Sequence, residues 1–205
     1  MIVVLGRPAI SAGGVGVASR PDGLVARIAL AAAATGRAVE LVGTIGDDGR
    51  GDELAVAFGR AGVGHAALLR VAGAVTPSPD TVGEALPRLD PADVDLGLRY
   101  VPDCRVLVLA EPLAPAATAV ALDAAAYHDA AVVAISGSDG AIDPALAAAA
   151  TVLSPPADAE SPFAELVGRY AADLDAGAAP GPAFAAAARA AGWEAAMGEA
   201  GEAPI

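Results

Sequence analysis

The feature that most constrains this chain is a set of short, unbroken aliphatic runs separated by alanine-rich stretches. Ile2 to Leu5, Val106 to Ala110 and Ala131 to Ile135 are apolar at every position rather than at every second one. A strand that is apolar throughout must be covered on both faces, as strands inside a parallel sheet are. Further short strands are expected at Val39 to Val42, Leu68 to Val71 and Val152 to Leu153. Helical patterns fall between and after them, at Leu24 to Thr35, Asp52 to Ala61, Pro91 to Leu98, Pro115 to Tyr127, Pro144 to Ala150, Phe163 to Ala172 and Pro182 to Ala196. Strands alternating with helices predict an α/β fold: a three-layer α/β/α sandwich on a mostly parallel sheet of five or six core strands.

Local signals set the boundaries. Asp22 is a candidate N-cap for the first helix and Gly36 its stop. Asp90 followed by Pro91 opens the helix that runs to Leu98. Gly46, Asp47, Asp48 and Gly49 form a turn. Arg7 to Gly23 and Ala72 to Leu89 are rich in Gly and Pro and read as irregular. No repeat or interdomain linker is visible, so residues 1–205 read as one domain with a tail that frays beyond Gly198.

Composition excludes several chemistries. The chain is 55% hydrophobic and 18% charged, which provides a core and argues against disorder. Roughly a quarter of the residues are alanine, and there is no Lys, Asn or Gln. Without lysine there is no Walker-type phosphate loop and no Schiff-base intermediate. The formal net charge of −13 disfavours nucleic acid and anionic membrane surfaces as partners. The window Val106 to Leu122 is broken by Glu111, Pro112 and Pro115, so no membrane span is expected. The single cysteine, Cys104, allows no internal disulfide, and MIVVLG carries no basic leader. A cytoplasmic location is expected from these.

The segment Asp22 to Val63, DGLVARIALAAAATGRAVELVGTIGDDGRGDELAVAFGRAGV, resembles the N-terminal signature of the ribokinase-like, or PfkB, carbohydrate kinases. Val42, Gly43, Ile45, Gly46, Asp47, Asp48, Gly49, Gly51, Leu54, Gly62 and Val63 match that pattern. Leu89 to Pro115 is similar to the family's central segment. The physical content of the match is structural: the glycines permit tight connections, and the two aspartates accept backbone N–H bonds and cap the following helix.

The resemblance implies a kinase fold using Mg-ATP on sugars or nucleosides, and it implies where the chemistry should sit. In the family a GAGD turn opens the last helix, binds the transferred phosphoryl group at its N–H groups and supplies a carboxylate base. The sequence-matched stretch here is Gly177 to Phe184, where Gly177 and Gly181 are candidate anion-hole residues and Pro182 falls at the base position. Proline has neither carboxylate nor N–H. Asp173 and Asp175 lie just upstream as substitute bases. The family's sugar-binding asparagine becomes Arg27 behind Gly23. Its NxxE motif falls on Ser154 to Glu160, leaving Asp158 and Glu160 as carboxylates that could face a metal. The two segments that build a lid over the substrate are short, so the lid is expected to be absent or reduced. Only roughly fifteen to twenty residues separate Glu160 from Gly177, too few for the family's further strands.

Other candidates lie at strand ends, where α/β folds bind ligands. These are Glu111, Ser136, Ser138 and Asp139. Glu111 is otherwise read as a helix cap before Pro112. Gly13-Gly14-Val15-Gly16 fails the dinucleotide fingerprint because Ser19 stands at the third glycine. His65 and His128 have no metal spacing with Cys104, which reads as a packed thiol. No metal site is expected. The sequence therefore points to a ribokinase-like protein without phosphotransfer, a pseudokinase binding a sugar, nucleoside or nucleotide. An active kinase with a relocated base and a structural subunit, for instance of a homodimer, are the alternatives.

Overall fold

The computed structural model describes residues 1–11, 13, 19–137, 142–156 and 160–193. The central strand is β1 (Ile2–Leu5), whose four side chains are all fully buried. It pairs in parallel with β4 (Val39–Gly46) on one side and β7 (Val106–Leu109) on the other. β4 is lined by β5 (Val63–Gly64) along its first half and by β6 (Leu68–Val71) along its second. β7 pairs with β8 (Ala131–Ile135), and β8 with β9 (Thr151–Leu153). All these pairings are parallel, giving a seven-stranded sheet. Val63–Gly64 was too short to stand out as a strand in the sequence, and β4 extends four residues past the expected end at Val42.

Helices cover both faces, and the strand residues divide between them by the two-residue alternation of a pleated sheet. Ile2, Val4, Leu41 and Val108 face α1 (Gly23–Ala33), α2 (Gly49–Arg60), α6 (Glu160–Asp175) and α7 (Pro180–Ala190). Val3, Leu5, Val42 and Leu107 face α3 (Pro91–Arg99) and α4 (Pro115–Tyr127), with α5 (Pro144–Ala149) beside them. Both α6 and α7 begin earlier than the apolar pattern indicated. This arrangement is the three-layer α/β/α sandwich.

Small residues set the helix spacing. Gly168 of α6 lies so close to α1 that a Cβ there would stand 2.7 Å from the Ala31 methyl and from the Ala32 nitrogen. The alanine-rich composition thus becomes close helix packing, while the few aromatics are spent elsewhere. Tyr170 on α6 meets Phe184 on α7 edge-on at 5.7 Å, and Phe163 meets Trp193 at the same separation. Those contacts fasten α7 to α6.

The stretch Arg7 to Gly23 is not wholly irregular. β2 (Ala9–Ser11) pairs antiparallel with β3 (Arg20–Asp22). Ile10 is 1% exposed, and its N–H donates to the Pro77 carbonyl at 2.8 Å. This small sheet is all that stands in the place of a lid among the described residues, and the described residues 72–90 contain no strand.

β4 lies against β1 through Gly43. A Cβ at Gly43 would overlap the carbonyl oxygen of Gly6, a backbone atom that cannot step aside without breaking the β1–β4 register. Gly43→Ala is expected to destabilise by roughly 2–4 kcal/mol, as overpacking against fixed backbone does. Urea unfolding of the variant beside Gly36→Ala, whose Cβ meets open space but whose φ is +81°, separates steric overlap from the milder cost of positive φ.

Candidate functional site

In open parallel sheets ligands bind beyond the carboxyl ends of the strands, where the chain reverses its direction across the sheet. From β1 the chain moves outward through β4 to β5 and β6, then returns to β7 and moves the opposite way to β9. The reversal lies between β1 and β7. Directly past those strands come Gly6-Arg7 and Ala110-Glu111.

Arg7 and Glu111 join across that reversal. The Arg7 Nε donates to Glu111 Oε1 at 2.8 Å and Nη2 donates to Oε2 at 3.0 Å. The Arg7 backbone N–H donates to Oε1 at 2.9 Å. The hydrogen bond to Glu111 raises the guanidinium's already high pKa, outweighing the desolvation that opposes it. Glu111 therefore does not cap a helix before Pro112; α4 begins at Pro115, and the carboxylate is held by Arg7 instead.

The turn after β4 is built around Asp48. Its Oδ1 accepts from the Gly51 N–H at 2.8 Å and from the Thr76 hydroxyl at 2.6 Å, and its Oδ2 accepts from the Thr76 N–H at 2.9 Å. Desolvation alone would raise this carboxyl's pKa. The bonds from Thr76 and Gly51 outweigh it and hold the group below the usual range. Asp48 is the N-cap of α2, whose first turn holds Gly49 and Gly51. A Cβ on Gly46 would fall 2.6 Å from the Ala74 carbonyl oxygen. Asp47 faces outward beside Arg70, 3.8 Å away.

At the start of α1, Asp22 occupies the N-cap position without a capping hydrogen bond, and its Oδ1 accepts from Arg27 at 2.6 and 3.0 Å. Desolvation pushes Asp22 up, and the Arg27 bonds and the Gly23 N–H more than reverse it. Arg27 also donates to the Ser161 hydroxyl at 2.6 Å, tying the start of α1 to the first turn of α6. Gly23 opens α1 with φ +72°. On the far side of the crevice, the Ser136 and Ser154 hydroxyls share a 2.8 Å hydrogen bond past β8 and β9. Ser138, Asp139 and Asp158 lie outside the described residues, as does the side chain of Glu160.

Gly23, Arg27, Glu111 and Ser136 thus share the carboxyl edge with the Gly46 to Gly51 turn. Gly177 and Gly181 do not. The end of α6 stands at the opposite edge: Asp175 meets Arg37 at 2.9 Å and the Met1 amine at 3.1 Å, and its carbonyl accepts from Arg105. Met1, Arg37 and Arg105 precede β1, β4 and β7. Gly177, with φ +88°, ends α6 in a Schellman turn, with Ala178 N–H bonded to Asp173 and Gly177 N–H to Leu174. Gly181 and Pro182 lie in the first turn of α7 at that same amino edge. Asp173 and Asp175 are likewise remote from the ligand edge. The helix that begins at the carboxyl edge, beside α1, is α6. The Gly177 to Phe184 stretch that resembles the GAGD turn therefore opens its helix, α7, at the amino edge and not at the ligand edge.

The remaining candidates are accounted for. Burial pushes the Cys104 thiol up to about 11, so it carries no thiolate at neutral pH. His65 Nδ1 lies 3.1 Å from the Val63 carbonyl oxygen, and His128 meets Tyr127 edge-on at 5.2 Å. Among the described residues no group of three or more His, Cys, Asp or Glu could hold a metal ion, and no helix is long and apolar enough to cross a membrane. Two partners escaped the sequence reading. Arg7 and Thr76 are 104 and 28 residues from the carboxylates they hold, and no local pattern announces such pairings.

No protein-family profile matches the chain, and no curated protein matches it. Solved structures do match. Ribokinase from Arabidopsis thaliana, complexed with ribose and ATP, superposes with a TM-score of 0.66 at 16% identity, covering 93% of this chain and 90% of that one. The crystal structure of Sa239 gives 0.60 at 18% identity over 75% of this chain and 60% of the other. Aminoimidazole riboside kinase from Salmonella enterica, with aminoimidazole riboside and an ATP analogue, gives 0.51 at 16% identity over 83% and 57%. The chain has the ribokinase-like α/β fold. It spans 60% and 57% of the lengths of the latter two proteins.

The Asp48 cluster gives a pH-dependent prediction. Its folded pKa is depressed, so its stabilisation is complete above the unfolded value near ~4 and is lost as pH falls through the folded value. Asp48→Ala is expected to cost about 1–2 kcal/mol at pH 7. The gap from the unchanged protein should narrow below about pH 4. Urea titrations at pH 7 and pH 3 measure both.

Proposed function

We propose that this protein binds a sugar, nucleoside or nucleotide at the carboxyl edge of its sheet and does not transfer a phosphoryl group. The observation that supports this reading is the state of the carboxylates there. A general base must present an unengaged oxygen to the hydroxyl it deprotonates. Among the described residues, Asp48 is engaged on both oxygens by Thr76 and Gly51 and Glu111 on both by Arg7, while Arg27 binds Asp22 through Oδ1. Asp47 is 59% exposed and faces solvent beside Arg70.

The small β2–β3 sheet supports the same reading. Three residues per strand give little cover against water, and phosphoryl transfer to an alcohol needs water excluded from the reacting group. Binding has no such requirement. Arg7 and Glu111 at the strand reversal and Ser136 past β8 offer the mixed polar groups that hydroxyl-rich ligands use.

An Mg-ATP-dependent kinase is the competing reading. It is favoured by the start of α6 at the carboxyl edge, where Ser161 is bonded to Arg27 of α1. In that reading the base is not Asp175, which is ion-paired at the opposite edge.

Two measurements decide between them. Thermal unfolding with a panel of sugars, nucleosides and nucleotides is expected to show stabilisation by at least one, since a ligand at a hundred times its Kd adds about 2.7 kcal/mol. A coupled assay with Mg-ATP across the same panel is expected to show no turnover above background. Turnover abolished by replacing one acidic residue would establish the kinase instead.

A further inference from the structure

Among the described residues of the ligand edge, Asp48 and Glu111 have both carboxylate oxygens engaged, whereas Arg7 keeps donors to spare. A guanidinium carries five N–H groups in one plane and can present two forks, a side fork from Nε and Nη2 and an end fork from Nη1 and Nη2. Glu111 occupies the side fork of Arg7. For Nη1 the only acceptor among the described residues is the Pro87 carbonyl oxygen at 3.5 Å, the outer limit for a hydrogen bond.

Depth and position give this fork a direction. The Glu111 side chain is 18% exposed and that of Arg7 is 37% exposed, so the carboxylate forms the inner wall and the guanidinium the outer one. The Arg7 backbone N–H anchors the Glu111 carboxylate, and the two bonds from Nε and Nη2 fix the guanidinium plane against it. The pair spans the strand reversal between β1 and β7, where the fold places its ligand crevice. Ion pairs set below a surface justify their desolvation when all their donors are used; here a second fork stands ready for another oxyanion.

We propose that the end fork of Arg7 is a phosphate subsite, so that the ligand is the phosphate ester of a sugar or nucleoside and not the neutral parent. Glu111 is a positioning residue that holds the guanidinium in place and does not itself meet the phosphate. This rests on the reading of the carboxyl edge as a small-molecule site, and it narrows that reading to one chemical class. A chain with a formal net charge of −13 repels anions as a whole, so phosphate affinity in this protein reports a local cation.

Calorimetric titration with ribose, ribose 5-phosphate, adenosine, AMP and inorganic phosphate tests the proposal. At least one ester is expected to bind at least about tenfold tighter than its neutral parent, the scale of a charge-assisted hydrogen bond. Which ester does so tells a sugar phosphate from a nucleotide. Arg7→Ala should abolish the preference, bringing the ester's affinity down to that of its neutral parent measured on the same variant. Arg7→Lys, which keeps the charge opposite Glu111 but loses the fork, should also lose most of it; this variant carries the test if Arg7→Ala fails to fold. Glu111→Gln should reduce the preference without removing it. Equal binding of ester and parent, or a preference that survives both Arg7 variants, overturns the phosphate subsite while the small-molecule reading stands. Failure of all five probes to bind overturns both.

Discussion

The structure depends on a four-residue strand that is hydrogen-bonded on both sides and covered on both faces. β1 has no exposed side chain, and each of its residues is in register with β4 and β7. Everything else follows from keeping that strand dry. Two helical layers are needed because its side chains alternate between faces. The helices can approach closely because they are built largely of alanine and glycine, as at Gly168 against Ala31. The same central position puts the crevice for a ligand at the end of β1, since the chain builds the sheet outward from β1 in both directions.

The electrostatics of the two sheet edges are a consequence of having arginine as the sole strong base. An acidic chain with no lysine must neutralise its half-buried carboxylates with planar forks, and forks fix geometry as well as charge. At the amino edge, Arg37 and Arg105 gather around Asp175. At the carboxyl edge, Arg7 and Arg27 take Glu111 and Asp22. Asp48 is the exception, satisfied by a hydroxyl and two backbone N–H groups. The result, among the described residues of the ligand edge, is that Asp22, Asp48 and Glu111 are each fixed by donors that also set their orientation.

Much of the architecture was legible because its causes are local. Asp90 with Pro91 reads as a helix start, and the structure shows a full capping box with Asp93 there. Pro115 to Tyr127, an alanine-rich run opened by proline, and Ala131 to Ile135, an unbroken apolar run, appear with those bounds. The GDDGRG turn announces its own cap through Asp48. The errors share one physical cause. β5 is two residues held by its neighbour β4, β2 and β3 exist by pairing with each other, and α6 gains its first turn from packing on α1. No local preference marks any of them. The edge at which the Gly177 to Phe184 stretch opens its helix was equally illegible, since only the position of α7 relative to the sheet places it at the amino edge.

The sequence by itself determined a parallel α/β sheet with ribokinase-like turns, because hydrophobic period, caps and glycine spacing act over a few residues. It also determined the arginine-only chemistry, because composition needs no coordinates. Tertiary structure alone decided which helix starts at the ligand edge and which carboxylate meets which cation. Those depend on contacts between residues as far apart as Arg7 and Glu111, brought together only when the strands between them have taken their order in the sheet.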